Sequence, residues 1–118
     1  MGQTNILKSK SYSFAVLIIK LHKSIREQHK EYDLTRQLLR SGTAIGALIR
    51  EAEFGQSKAD FISKLSISLK EANETDYWLE LLKDTEFISK NQYIELRDQC
   101  KQLIKMLVSS IKTAKTNR

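Results

Sequence analysis

Leu38 to Glu53 reads Leu-Leu-Arg-Ser-Gly-Thr-Ala-Ile-Gly-Ala-Leu-Ile-Arg-Glu-Ala-Glu, and this stretch decides the fold. Apolar residues recur in it at helical spacing, yet Gly42 and Gly46 stand about one turn apart in its middle. Each glycine costs the interior of a helix roughly 1 kcal/mol relative to alanine. A helix keeps such glycines where another backbone must come close. The stretch therefore predicts a packed helix in which Gly42 and Gly46 serve helix packing.

A glycine-rich phosphate loop is the alternative interpretation of these two glycines. Such a loop follows a strand and ends in Gly-Lys-Ser or Gly-Lys-Thr. No strand pattern precedes the stretch, and no such tripeptide follows it. The helical interpretation is therefore preferred.

The rest of the chain has the same helical character. Its 118 residues contain no proline and only four glycines, which favours long uninterrupted helices. Periodicity predicts four of them, at about residues 11–30, 34–53, 58–84 and 90–112, with loose segments before and after. Short connections place successive helices antiparallel. The predicted fold is all-α, a single domain over residues 1–118 that forms an antiparallel up-down-up-down four-helix bundle.

Residues at the helix ends predict where these helices start and stop. Asp33 is the predicted N-cap of the second helix. Ser57 and Ser89 each stand three residues before a side chain that can complete a capping box, at the third and fourth helices. Gly55 is predicted to end the second helix by adopting a positive φ.

The third helix carries a second apolar band opposite its core-facing stripe. A helix that is apolar on two sides is covered on two sides. Since Trp and Tyr are enriched in the cores of interfaces, the band predicts contact with another subunit, and a wide core face within one subunit is the alternative. The predicted interface residues are Ile67, Tyr77, Trp78 and Leu81, with Ile88 continuing the band.

Asp76 falls within the core-facing stripe of the same helix. A buried carboxylate needs a partner, and a histidine or arginine on a neighbouring helix is the predicted one. A catalytic Asp76 with a nearby histidine is the alternative.

Charge is distributed unevenly along the chain. The net charge is +6, but residues 1–30 and 89–118 each carry +5, whereas residues 31–56 carry −1 and 57–88 carry −3. Basic faces on the first and last helices predict a surface that binds nucleic acid. Two alternatives are helix pairs that attract each other, and lysine stems that cover a subunit boundary. The predicted nucleic-acid-binding residues are Lys20, Lys23, Lys30, Arg97, Lys101, Lys105 and Lys112.

The sequence contains no constellation typical of an enzyme. It lacks the Glu-x-x-His pairs of di-iron bundles, a cysteine pair at zinc spacing, and any spacing that argues for a catalytic triad. We therefore expect a protein that is not an enzyme and has no metal or cofactor. The single cysteine, Cys100, fits a reducing compartment, and no apolar run reaches about 18 residues, so a cytoplasmic protein without a membrane span is predicted.

The glycine-containing stretch also carries a family resemblance. Together with residues 11–16, 57–62 and 69–82, residues 38–52 resemble bacterial four-helix-bundle proteins named after reading frames within intervening sequences of 23S ribosomal RNA genes. The resemblance covers about residues 11–112 and rests on packing motifs. This sequence departs from the usual pattern at Ala44 and Leu48, where the family commonly has Ser and Asn.

The resemblance implies a bundle that assembles into a ring, typically a homopentamer, with no enzyme activity. It also implies association with RNA or with an RNA-associated protein. A related bundle, the accessory protein of diversity-generating retroelements, pairs with a reverse transcriptase. A protein-interaction scaffold or accessory subunit that does not itself bind RNA is accordingly the alternative function.

Overall fold

The computed structural model describes residues 2–117 and contains four α-helices. No strand occurs among these residues, so the predicted all-α class is confirmed. The helix α1 packs against α2 and α4, and α3 packs against the same two helices. Together they form a rod with extents of 50 × 21 × 19 Å. The helices are α1 (Gly2–His29), α2 (Asp33–Glu53), α3 (Lys58–Asp84) and α4 (Lys90–Thr116).

The beginning of α1 corrects the prediction of a loose segment before Ser11. The helix already starts at Gly2, and Leu7 is only 1% exposed. Leu7, Ser11 and Phe14 are buried at alternating four- and three-residue spacing, which lines one face of a helix. The core stripe therefore begins one turn before the residue at which we placed it. Met1 lies outside the described residues.

The end of α4 corrects the opposite boundary. The helix continues to Thr116 rather than stopping near residue 112, and the Asn117 N–H donates to the Thr113 carbonyl over 3.0 Å. Ser110 and Ile111 are still buried at this level. Contact of α4 with the rest of the bundle therefore reaches almost to the end of the helix. Arg118 lies outside the described residues.

A residue other than the predicted one caps α2. The helix begins at Asp33 itself, and no side-chain cap comes from its N-cap residue, Tyr32. The Glu31 carboxylate instead accepts from the backbone N–H groups of Asp33, Leu34 and Thr35, at 3.2, 3.1 and 2.9 Å. A carboxylate at a helix N-terminus both satisfies free donors and interacts favourably with the helix dipole.

The turn between α2 and α3 contains one wrong and one confirmed prediction. Gly55 does not adopt a positive φ, but an added Cβ there would lie 3.1 Å from the Ala52 carbonyl oxygen and 3.1 Å from an Asp60 carboxylate oxygen. Gly55 is therefore explained by the close packing of the turn and not by a left-handed backbone conformation. Ser57 caps α3 as predicted, accepting from the Asp60 N–H over 3.0 Å.

Between α3 and α4 the chain turns through Glu86, whose φ is 67°. The Phe87 N–H donates to the Leu82 carbonyl over 2.9 Å, and the capping box predicted at Ser89 is present. Ile88 is only 6% exposed and belongs to the core. Its assignment to the outward apolar band of α3 is therefore wrong.

The seam between α1 and α2 runs over the two helical glycines. A Cβ at Gly42 would lie 2.9 Å from both γ carbons of Ile18, which is completely buried. A Cβ at Gly46 would lie 3.1 Å from the Ser11 hydroxyl oxygen. Real Cβ atoms do not approach neighbours as closely as the first distance, so α1 occupies the space that a side chain at Gly42 would need.

Buried hydroxyl groups line the seam between α2 and α3. The Thr75 and Ser41 hydroxyl oxygens lie 2.9 Å apart, and Ser68 donates to the Ile45 carbonyl over 2.9 Å. All three of these hydroxyl-bearing residues are completely buried. Hydrogen bonds are what make such burial tolerable, and here they also fix the register of α3 on α2.

The predicted partner of Asp76 is corrected by the structure. The Lys101 ammonium of α4, rather than a histidine or arginine, lies 3.2 Å from one carboxylate oxygen. The other oxygen is buried without a hydrogen-bond partner. Nearby, the Cys100 thiol donates to the Ala72 carbonyl over 3.2 Å, and burial raises the pKa of this thiol to about 12.

Candidate nucleic-acid interface

The basic residues predicted on α4 share one stripe of its surface. At 100° per residue they fall within about 80° of one another. Lys101 is half-buried by its ion pair with Asp76, which places the stripe on the side of α4 nearer α3. The three exposed members of the stripe are Arg97, Lys105 and Lys112.

The basic residues predicted on α1 are divided between two surfaces. Lys20 lines a groove between α1 and α4 together with Gln92 and Glu95. Lys23 is exposed on the outward side of α1, and Lys30 is exposed in the connection that follows the helix.

The two sets of basic residues do not merge into one surface. On its α1 side, α4 presents neutral Gln102, whose side-chain oxygen accepts from Lys10 over 3.3 Å. The stripe of α4 cations is rotated from Gln102 toward α3, where Lys101 pairs with Asp76. The structure therefore places the predicted residues on separate faces of the basic helices.

Charge is nevertheless segregated across the bundle. The segments that contain α1 and α4 each carry +5, and these helices are neighbours. The segment between them, residues 31–88, contains α2 and α3 and carries −4. The uneven charge of the sequence thus becomes a basic half and an acidic half of the folded rod. A field of this kind attracts polyanions to one side.

The predicted interface residues of α3 lie on its outward side. Ile67 and Tyr77 are 41% and 56% exposed, whereas Trp78 and Leu81 are half-buried. The Tyr77 and Trp78 rings meet edge to face with centroids 5.3 Å apart. These four residues are called the α3 patch below.

A charged network borders the α3 patch. The Trp78 indole donates to Glu74 over 3.1 Å, and Arg40 of α2 donates to the same carboxylate over 2.6 Å. The indole hydrogen bond, and then those from Arg40, lower the pKa of Glu74. The hydrogen bond to Glu74 raises the pKa of Arg40 in turn. The guanidinium beside this patch is therefore already neutralised by a partner.

The sequence profile of the 23S rRNA-intervening sequence protein family matches residues 3–109. The chain belongs to this family. A crystal structure of a protein of unknown function from the S23 ribosomal protein family of Bacteroides thetaiotaomicron superposes with a TM-score of 0.92. The two sequences are 53% identical, and the match covers 93% of this chain and 98% of the other. No curated protein matches the sequence.

Membership in the 23S rRNA-intervening sequence protein family confirms the resemblance seen in the sequence. The two positions that depart from the usual family pattern, Ala44 and Leu48, are both half-buried on α2. They do not form part of either basic surface.

Two exposed tyrosines beside arginines in this family member were missed by the sequence analysis. Arg50 of α2 lies over the Tyr12 ring of α1, with its Cζ 5.8 Å from the ring centroid. Arg26 lies over the Tyr32 ring in the same way at 4.6 Å. The rings are 61% and 41% exposed. Pairs of this kind resemble the stacking platforms of proteins that bind nucleic acids.

Within residues 2–117, no group of three or more His, Cys, Asp or Glu side chains is placed to hold a metal ion. In the same part of the chain, no helix combines the length and apolar character that crossing a membrane requires.

Proposed function

We propose that this family member is a non-enzymatic homo-oligomeric bundle that binds RNA through the basic faces of α1 and α4. The observation that carries the proposal is the segregation of charge, with +5 on each of the segments that form these two neighbouring helices. Lysine and arginine side chains that neutralise phosphates supply most of the affinity of nonspecific RNA binding. We place the protein in the reducing cytoplasm, which suits its buried free thiol, Cys100.

The topology that we infer is an antiparallel up-down-up-down bundle. Lys8, near the start of α1, forms an ion pair of 2.8 Å with Glu53 at the end of α2. Lys64, early in α3, lies 3.6 Å from Glu51. Late in α3, Lys83 lies 4.4 Å from the centroid of the Tyr93 ring, near the start of α4. Each of these contacts joins the beginning of one helix to the end of its neighbour, which supports the inferred directions.

The assembly that we propose is a ring, and five subunits is the number that the family resemblance implies. Exposed Ile67 and Tyr77 on the acidic half support contact of the α3 patch with another copy. A ring arises when two different surfaces of the subunit meet head to tail and the rotation closes. Contact of the α3 patch with a different surface of the next subunit, away from the basic faces of α1 and α4, satisfies this condition.

The RNA-binding proposal is tested by reversing charges on the two halves separately. Lys105→Glu with Lys112→Glu changes two exposed cations on α4, and Lys58→Glu with Lys70→Glu is the matched control on α3. Both double variants alter the net charge equally. We expect the α4 pair to lower affinity for a labelled RNA at low salt by about tenfold or more, and the α3 pair to have little effect. Equal losses, or no binding by the wild-type protein, would overturn the proposal.

A protein-interaction scaffold is the second candidate function. The exposed aromatic surface of the α3 patch favours it, because exposed aromatic clusters are typical of protein interfaces. A partner recovered after nuclease treatment of a lysate, and lost with Tyr77→Glu, would support this function. The partner could be a polymerase such as a reverse transcriptase, and mass spectrometry would identify it.

A further inference from the structure

The outward side of α1 carries an exposed strip that mixes aromatic, aliphatic and basic residues. Tyr12, Ile19 and Arg26 recur at intervals of seven residues, which places them in one line along the helix. Lys23 lies beside this line, and Lys30 directly follows the end of α1, with a φ of 56°. All five of these side chains are exposed, and we call them the α1 strip.

Both ends of the α1 strip have an aromatic ring beside a guanidinium. Arg50 joins Tyr12 at one end, and Tyr32 joins Arg26 at the other. The fourteen residues from Tyr12 to Arg26 span about 21 Å of helix. Neither tyrosine is needed to fill the core, since more than a third of each ring is exposed.

The surface next to Tyr12 is shaped so that a flat group has access to the ring. A shallow depression there is lined by the small residues Ala15, Gly46 and Ala47 and by Thr43, with Lys8 and Arg50 also in its lining. The small side chains leave space beside the Tyr12 ring. The half-buried Thr43 hydroxyl can accept a hydrogen bond from a ligand, although it already donates to a backbone carbonyl of its own helix.

The charge along the strip favours an anionic ligand. Within residues 2–117, Lys23, Arg26, Lys30 and Arg50 form no ion pair with a carboxylate. Glu27 is the acidic residue of α1 that borders the strip. Arg40, by contrast, lies outside it and is held by Glu71 and Glu74.

We infer that the α1 strip binds single-stranded RNA, with unpaired bases stacked on Tyr12 and Tyr32 and phosphates neutralised by the cations between them. The inference rests on the proposed RNA binding and names the form of RNA that this face takes. Unpaired bases can stack on aromatic side chains, whereas the bases of a duplex already stack on each other. A surface with aromatic rings at both ends and cations in between therefore discriminates in favour of single strands.

The test compares two RNAs and two double variants of the full-length protein. The RNAs are a labelled 12-nucleotide oligouridylate and a blunt duplex of the same length, both measured by fluorescence anisotropy at low salt. Tyr12→Ala with Tyr32→Ala removes both rings, while Tyr12→Phe with Tyr32→Phe keeps them and serves as the control. We expect the alanine pair to weaken oligouridylate binding by about tenfold or more, and duplex binding by less than about twofold.

Each outcome bears on the inference. Retention of oligouridylate affinity by the phenylalanine pair and its loss by the alanine pair supports stacking. If the alanine pair binds oligouridylate as the wild type does, the strip is not a stacking surface, but the proposed RNA binding survives. If the wild type binds neither RNA, both proposals fail. If Tyr12→Asp reduces the particle mass in light scattering, another copy covers the strip and the inference is wrong.

Discussion

The two sides of α2 are packed by different means. Toward α1, Gly42 removes a side chain so that Ile18 can occupy the space. Toward α3, Ser41 keeps a polar side chain and pairs it with Thr75. The seam with α1 depends on the missing side chain at Gly42, and the seam with α3 depends on hydrogen bonds between buried hydroxyl groups. The two seams should therefore fail under different substitutions.

The outward surfaces of α1 and α3, the two helices that flank α2, differ in the charges that surround their aromatic residues. At the two ends of the α1 strip, Tyr12 and Tyr32 each lie beside an arginine that forms no ion pair with the described residues. On α3, Tyr77 lies against Trp78, whose indole binds Glu74. Similar aromatic residues are thus set in opposite charge environments. Exposed aromatic residues alone therefore do not identify a partner. Cations beside the rings favour a polyanion, whereas a carboxylate beside them favours a protein surface.

The largest expected effect is loss of assembly on the α3 side. Trp78→Glu places a carboxylate beside Glu74 in the α3 patch, so we expect the particle mass in light scattering to fall to that of a smaller species with the helical circular dichroism kept. Tyr12→Glu on α1 is the matched control and should leave the mass unchanged. An unchanged mass for Trp78→Glu, or a fall for both variants, would contradict the distinction between the two faces.

Next in size is the effect of filling the glycine seam. Gly42→Ala puts a Cβ 2.9 Å from buried Ile18, and overpacking of this kind costs about 1–3 kcal/mol, offset by up to about 1 kcal/mol of helix propensity. At Gly46→Ala the new Cβ would lie 3.1 Å from the Ser11 hydroxyl oxygen and 3.4 Å from the Ser11 Cβ, so the gain in helix propensity should offset most of the cost. Urea unfolding measures both. Equal stabilities for the two variants would show that Gly42 is not the point of closest approach.

A comparable but smaller loss is expected at the hydroxyl seam. Thr75→Val keeps the shape of the side chain but leaves the buried Ser41 hydroxyl without its closest partner, which costs about 1–2 kcal/mol in the free energy of unfolding. Thr85→Val removes an exposed hydroxyl at the end of the same helix and is the control. The account of this seam is wrong if the two valine variants lose equal stability.

The smallest effect concerns pH and lies between α3 and α4. The pKa of the buried Cys100 thiol is raised to about 12, from 9.0 when the thiol is exposed. The unfolded chain therefore loses this proton first, so stability is complete below pH 9 and falls as the pH rises toward the folded value. The loss at pH 10 is about 1.4 kcal/mol. Cys100→Ala should flatten this part of the stability profile, and an unchanged slope would contradict the assignment.

The fold class, the bounds of α2 and α3 to within one residue, the start of α4 and two of the caps could be predicted from periodicity and capping chemistry. The start of α1 was missed because Ile6 and Leu7 form only a short apolar pair in a polar segment, and the helical spacing from Leu7 to Ser11 and Phe14 was not followed. The cap of α2 was missed because Glu31 reaches forward from outside the usual N-cap position. These errors are local, and closer attention to spacing would have reduced the first.

Contacts between residues that are far apart in the sequence could not be predicted from periodicity or capping chemistry. Ser41 and Thr75 look like exposed polar residues of two helices until those helices are packed. Tyr12 meets Arg50 only because α2 folds back beside α1. The basic residues of α1 and α4 were predicted by charge, but their division between separate faces depends on how each helix is rotated in the bundle. The rotation of a helix about its own axis depends on how it packs, and the charge pattern of the sequence does not determine it.

The dependence of RNA affinity on salt tests the central claim most directly. A log–log plot of the association constant against salt has a slope of about −0.7 for each phosphate that is neutralised in a single strand. We predict a wild-type slope steeper than about −2, which corresponds to at least three contacts. Lys112→Gln should make it shallower by about 0.7, while Lys58→Gln on the acidic half leaves it unchanged. A wild-type slope near zero, or equal slopes for all three proteins, would contradict RNA binding by the basic half.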